Sequence, residues 1–370
     1  ASQPIPVKKQ DKYNIIRWAV TGRDDLQINT SCWQIFESLQ NNARANVQDW
    51  KELCYLWSSD FRTHITYKRW KKYKKRLKTF LGKINKQNLK KKKNFAAYKF
   101  GNNPSKSLEF KTKRLGRFLE ISNKRFKIIL NCKRGLALES YKDNLISKKP
   151  LIGTIEHGHF DDIRYSADYY SCHLVFESPG KHKITDLNHV KPKIIKTKNN
   201  IQISSNISTR MGKILKKWVI NNDNGQLNLS YKFNWEESVV GTLRLGYITL
   251  LPNAFDKKTL YFQTHNGGRS KEHFKLKGQK DFDHGKTVSS LISANQAISI
   301  SNGIVEIGDY KKKITLKYKK TQASCIGLVS NLQIHDENFF RLAYSLREVD
   351  DTSRSAPLGE VDINFEITIS

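Results

Sequence analysis

The feature that most limits what this 370-residue chain can fold into is a change of hydrophobic period near residue 107. Before it, apolar residues recur at three- and four-residue spacing, the mark of helices with one buried face. Cys32, Ile35, Phe36 and Leu39 form the first such face, from about Asn29 onward. Trp50, Leu53, Cys54 and Trp57 form a second, predicted over 47–63, and Trp70, Tyr73, Leu77, Phe80, Leu81 and Ile84 a third. Thr66 is placed to cap that third helix. Beyond 107 the apolar runs shorten, alternate with polar residues and stop at Gly, Asn, Asp or Pro, as in 118–121, 126–132, 136–141, 227–233, 243–251 and 361–369. Runs of this kind at this spacing imply ten or more antiparallel strands and a large β-sandwich, not a parallel α/β sheet. The expected fold is α+β, mainly β: a short three-helix unit over 1–107, then the sandwich over 108–370.

Composition narrows the functional classes. With 18 Phe, 15 Tyr and 7 Trp the chain can fill a sizeable core. No run of about 18 apolar residues occurs, so no membrane-spanning helix is expected. The opening ASQPIPVKKQ lacks the apolar stretch of a signal peptide. Five scattered cysteines without a CxxC argue against a zinc site and against a disulfide framework, which favours buried thiols and the cytoplasm. The net charge of +32 reads either as attraction to an anionic partner or as a lysine-rich compositional bias. The excess is lysine, without the planar fork with which arginine grips phosphate, so the bias reading is preferred. Fourteen basic residues and no acid between Lys68 and Lys93 keep a nucleic-acid surface as the second choice.

Chemistry-bearing residues concentrate in 151–173, where His157, His159 and His173 stand among Glu156, Asp161, Asp162 and Asp168. Such groups are costly to bury unpaired, so the segment reads as a hydrogen-bonded polar seam or as the wall of a ligand site. If 157–161 is a strand, His157, His159 and Asp161 share one face. A two-histidine, one-carboxylate metal site is an option, but sugar hydroxyls or internal hydrogen bonds suit the cluster better. A second cluster lies at 56–64. On a helix, Asp60 and His64 share a face, with Trp57 one turn before Asp60 and Arg62 alongside. An indole platform beside charged groups suits a sugar ring, and a helix-end salt bridge is the plainer reading. His265 and Asn266 precede Gly267-Gly268 in a turn that needs left-handed backbone, and they either contact ligand or only form the turn. Residues 347–354 read as a solvated or self-paired loop. No GxSxG, P-loop, GxGxxG or HExxH occurs, and neither a metal nor a cofactor is expected.

Leu56 to His64 resembles the helical segment behind the catalytic barrel of family fifty-seven glycoside hydrolases, L-x-x-A-Q-x-N-D-x-Y-W-H, and the related A-Q-H-H-D helix of class II α-mannosidases. Asp60 matches the Asn or Asp and His64 the His, while Ser58-Ser59 replace Ala-Gln. Residues 126–141 and 153–158 resemble the start of the carbohydrate-type sandwich that follows that unit. The resemblance implies the C-terminal portion of a carbohydrate-active enzyme, without the N-terminal barrel that carries nucleophile and acid. What it implies is binding of an α-glucan or mannoside, with a separately supplied barrel as partner and no independent catalysis. Trp57, Asp60, Arg62, His64, Glu156, His157, His159, Asp161, His265 and Asn266 are the expected carbohydrate contacts. A lyase acting on an acidic glycan, and a structural protein whose sandwich binds another chain, stand as alternatives.

Overall fold

The computed structural model describes residues 19–42, 45–61, 65–92, 109–160, 170–235, 240–252, 254–265, 270–276, 298–334, 337–349, 353 and 358–370. The helical unit comprises α1 (Asp25–Gln40), α2 (Val47–Leu56) and α3 (Tyr67–Lys92). The Asn46 side chain caps α2 by accepting from the Asp49 amide at 2.9 Å. At the start of α3 the Thr66 hydroxyl accepts from the Arg69 amide at 3.4 Å. Ile28, Cys32, Ile35 and Leu39 of α1 bury against Leu53 and Leu56 of α2 and Trp70, Tyr73, Leu77, Phe80 and Ile84 of α3. The second helix is shorter than its spacing predicts. It stops at Leu56, and Ser59–Phe61 form a single 3-10 turn. The Leu56 carbonyl accepts from the Tyr73 hydroxyl at 2.8 Å, which satisfies one of the acceptors the helix end exposes.

The strands follow in chain order. The first five, β1 (Lys111–Leu115), β2 (Phe118–Ser122), β3 (Phe126–Asn131), β4 (Ala137–Asp143) and β5 (Ile152–Gly153), make an antiparallel meander. Then come β6 (Leu174–Glu177), β7 (Ile184–Thr185), β8 (Lys193–Lys196), β9 (Asn200–Thr209), β10 (Gly212–Asn221), β11 (Leu227–Trp235) and β12 (Thr242–Thr249). The last are β13 (Tyr261–Thr264), β14 (Glu272–Lys275), β15 (Ile298–Ile300), β16 (Ile304–Gly308), β17 (Lys313–Tyr318), β18 (Ile326–Ile334), β19 (Glu337–Arg347) and β20 (Gly359–Ile369). A nine-stranded sheet runs β14-β13-β16-β17-β20-β11-β10-β9-β8, and a six-stranded sheet runs β15-β18-β19-β12-β6-β7. Alternation decides which faces meet. Leu227, Leu229, Tyr231, Phe233 and Trp235 of β11 pack inward with Leu342, Tyr344 and Leu346 of β19 in one continuous core. The fold is α+β and mainly β. The expected boundary at 107 lies outside the described residues, as does the run 288–293.

A buried ion pair crosses this core. Lys216 sits on the inward face of β10 between Ile214 and Trp218, and its side chain is 0% exposed. Its ammonium donates to Asp186 Oδ2 at 2.8 Å and to the Cys172 carbonyl at 2.6 Å, and lies 5.4 Å above the Tyr231 ring. Asp186 Oδ1 in turn accepts from the Leu174 amide at 2.9 Å, and the Tyr231 hydroxyl donates to the Cys172 carbonyl at 2.9 Å. Both charges are therefore fully coordinated, the condition under which a buried pair is tolerated. Gly135, at φ 57°, packs on the Asp186 carbonyl, and a Cβ there would lie 1.7 Å from that oxygen. Only glycine fits. Removing one charge should strand the other in the core, so Lys216→Met or Asp186→Leu alone should lower stability in urea unfolding by about 3–5 kcal/mol. The double substitution should recover most of that loss. An additive loss would contradict the coupling.

Candidate functional site

Two polar groupings stand on the β12–β19 strand pair. The first lies on the face of the six-stranded sheet that points away from the core. There Arg341 alternates with the core residues Phe340 and Leu342, and its Nε donates to the Thr249 hydroxyl at 3.0 Å. A bulge between Leu245 and Ile248, with Gly246 at φ 90° and Tyr247 at φ 41°, turns the Tyr247 ring onto this face. Tyr247 stacks on His173 with ring centroids 4.4 Å apart, and the Arg341 guanidinium lies 5.5 Å from the Tyr247 ring. His173 is fully buried, and among the described residues neither ring nitrogen meets a partner at full hydrogen-bond geometry, although the Tyr170 backbone acts on the ring. Its backbone is fixed from both sides, because Lys216 holds the Cys172 carbonyl and Asp186 holds the Leu174 amide. Burial holds the imidazole well below its ordinary pKa, and the cationic Arg341 and Lys216 push the same way. Farther along, Glu348 takes a bidentate pair from Arg244 at 2.6 and 2.8 Å and a hydrogen bond from Ser345 at 2.6 Å. The expectation that 347–354 forms a solvated or self-paired loop fails at this residue. Glu348 is only 3% exposed and pairs with a strand 104 residues away in sequence.

The second grouping borders a cavity of about 210 Å³ at the end of the same strand pair. Leu250, Leu260 and Phe340 form its apolar floor, and Phe255, Asp256, Lys257, Glu337 and Asn338 its walls. Glu337 also accepts from His159 Nε2 at 2.5 Å. The His159 ring sets its edge against Phe160 at 4.6 Å, and Phe160 packs on Phe339. Asp309 anchors the opposite rim by accepting from the Asp256 amide at 2.8 Å.

Among the described residues, His159 is the expected contact tied to a cavity wall. It does not occupy a strand. Residues 157–159 form a turn in which Gly158 takes φ 84° and the His159 amide donates to the Glu156 carbonyl at 3.1 Å. The two-residue alternation invoked for His157 and His159 therefore does not apply, and both Glu156 and His157 are exposed. Trp57 caps α2, donates its indole N–H to Asn29 at 2.8 Å and meets Trp33 edge-on at 5.3 Å. Asp60 is exposed in the 3-10 turn instead of on a helix. His265 follows β13 and is half-buried. Arg62, His64, Asp161 and Asn266 lie outside the described residues, so the helical pair Asp60–His64 and the His157–His159–Asp161 triple have no geometry to report. Glu337, Asn338, Phe255, Tyr247 and Arg341 were missed, because nothing local in the sequence distinguishes them from ordinary strand-end and core residues. Only pairing across the sheet brings them together.

The unfolded chain binds a proton at His173 near the ordinary pKa of about 6.5, whereas the folded chain resists it until much lower pH. Protonation thus favours unfolding, and stability should fall by up to about 1.4 kcal/mol per pH unit as pH drops below about 6.5. His173→Phe, which retains the ring stack on Tyr247, should remove that part of the slope. An unchanged slope in urea midpoints across acid pH would contradict the assignment.

No family model matches the chain, and no curated protein matches it. Solved structures give likenesses of fold. A galactose mutarotase-like protein from Clostridium acetobutylicum has a TM-score of 0.43 at 10% identity, over 72% of this chain and 99% of that one. A galactose mutarotase-like protein from Lactobacillus casei has a TM-score of 0.42 at 9% identity, over 68% and 100%. A 4-alpha-glucanotransferase from Thermococcus litoralis has a TM-score of 0.39 at 11% identity, covering 94% of this chain and 50% of that enzyme. The chain thus spans about half the length of the glucanotransferase, and likenesses at these TM-scores carry no argument about activity.

Proposed function

We propose that this protein binds a neutral oligosaccharide, of α-glucan or mannoside type, with one sugar ring seated in the cavity beside His159 and Glu337. The observation that carries the reading is the cavity wall itself. Glu337, Asp256 and Asn338 offer acceptors, Lys257 and the Asn338 amide offer donors, and Phe255 offers an apolar ring. Sugar hydroxyls both donate and accept, and ring C–H groups pack on aromatic faces, so this mixture suits a polyhydroxylated ring. At about 210 Å³ the cavity is smaller than the roughly 300–1,000 Å³ of drug-sized sites, which favours one ring over a buried chain. His159 holds Glu337 in place, so one of the sequence-predicted residues acts here as a positioning group.

The finer reading follows the resemblance of 56–64 and 126–158 to family fifty-seven glycoside hydrolases and class II α-mannosidases. In it, the chain is the helical and sandwich portion of a glycoside hydrolase-like protein, which would depend on a separate barrel for catalysis. Trp57, Asp60, Arg62, His64, Glu156, His157, Asp161, His265 and Asn266 belong to this reading as further contacts along a longer oligosaccharide. Nucleic acid stays the second reading: on α3, Arg76 binds Glu52 at 2.5 Å, Lys83 binds Asp49 at 3.0 Å and Lys74 binds Asp24 at 2.8 Å, which engages three of the basic residues of this segment. Calorimetric titration with maltotriose and mannotriose should detect binding at millimolar ligand or tighter, weakened at least about tenfold by Glu337→Gln and by His159→Ala. Absence of heat with both sugars at millimolar concentration would remove the proposal.

A further inference from the structure

The outward face of the nine-stranded sheet carries a separate groove of about 480 Å³, running across β10, β11 and β20, in which Leu215 and Val219 supply apolar surface between charged and amide side chains. Strand register sets its lining. Lys217 pairs with Ser230 and Ser230 with Asn364, while Lys232 pairs with Asp362 one step along the strands. Directly paired residues on neighbouring strands point to the same face about 5 Å apart, so Lys217, Ser230 and Asn364 form one row and Leu215, Lys232 and Asp362 the next. Among the described residues, Lys217, Lys232, Asp362, Asn364 and Gln322 make no side-chain hydrogen bond or ion pair, in contrast to Lys317 of the same sheet, which binds Glu366 at 3.3 Å. The groove therefore presents charged donors and amide and carboxylate acceptors that the protein itself leaves unused.

One edge of the groove is braced by the helical unit. Gln322 stands in the loop that joins β17 to β18. Helix α1 grips that loop on both sides of Gln322: Gln34 donates to the Thr321 carbonyl at 2.7 Å, and the Thr30 hydroxyl accepts from the Ser324 amide at 2.9 Å. Lys320 lies 4.4 Å over the Trp33 ring. The packing of helices on sandwich thus fixes one edge of the groove.

We infer that this groove is a second binding site, for an acidic oligosaccharide such as a chain of uronic acids. Lys217 and Lys232 take carboxylates, and Asp362, Asn364 and Gln322 take hydroxyls. The carboxylate of Asp362 selects among anions, since it needs a hydroxyl donor and repels a ligand that offers only negative charge. The lining holds no aromatic side chain on which a nucleobase could stack and no arginine to fork onto phosphate, which disfavours single-stranded nucleic acid. The site is on the opposite sheet from the His159–Glu337 cavity and does not depend on it.

The test is calorimetric titration of the full chain with a short oligogalacturonate, with maltotriose and poly(U) as comparison ligands. Oligogalacturonate should bind, and Lys217→Ser/Lys232→Ser should weaken it at least about tenfold. Asp362→Ala should weaken it as well, although this change makes the groove more positive. His159→Ala should leave it unaltered, which separates this site from the cavity. No binding at millimolar oligogalacturonate, unchanged affinity in the lysine double variant, tighter binding in Asp362→Ala, or displacement by poly(U) would each overturn the inference.

Discussion

The ion pair between Lys216 and Asp186 fixes how the two large sheets of the sandwich meet. A lysine on an inward-facing strand position would ordinarily be expelled, because desolvating an unpaired ammonium costs several kcal/mol. Here the charge is met by a carboxylate, a carbonyl and the face of Tyr231, all held by neighbouring backbone. The partner atoms come from the stretch around His173 and from the end of β7, so the pair clamps β10 of one sheet to β6 and β7 of the other. Burial pushes the Asp186 carboxyl up, and Lys216 and the Leu174 amide pull against that rise. Apolar packing surrounds the pair, and the pair's hydrogen bonds tie β10 to the backbone on either side of His173.

The consequences run along the strands. His173 lies between the two backbone groups that the pair holds, and its ring stacks on the Tyr247 that a bulge in β12 turns outward. The same β12–β19 pairing carries Leu250 and Phe340 to the floor of the cavity and Glu337 to its rim. The Asp186 side of the buried charge pair and the His159–Glu337 cavity thus adjoin the same six-stranded sheet, without direct contact. The adjacent Cys172 thiol is buried in the core and is pushed up to about 12 by that burial, which keeps it in the thiol form.

Much of this architecture could be read from spacing alone. The switch from helical to alternating period, the core face of β11 and the capping Thr66 all follow from residue type and position. Strand β10 departs from plain alternation. Its core face reads Ile214, Lys216, Trp218, Ile220, and a lysine in that row breaks the alternation on which strand recognition rests. The helix predicted through 63 failed because three- and four-residue apolar spacing persists across a chain that turns at Leu56. His159 was visible as a member of a polar cluster, but its partner Glu337 lies 178 residues away, and no local pattern signals such a pairing. Glu348 was misread for the same reason, since its Arg244 partner is supplied by a distant strand.

The central claim is that Lys216 is a charged ammonium inside the core, and its side-chain protons report this directly. Nitrogen-15 NMR of the lysine ammonium groups at neutral pH should reveal one with slowly exchanging protons, lost in Asp186→Asn, because burial withholds that group from the water that exchanges solvated lysines. A spectrum in which every lysine ammonium exchanges fast, or in which Asp186 is protonated at neutral pH, would contradict the account.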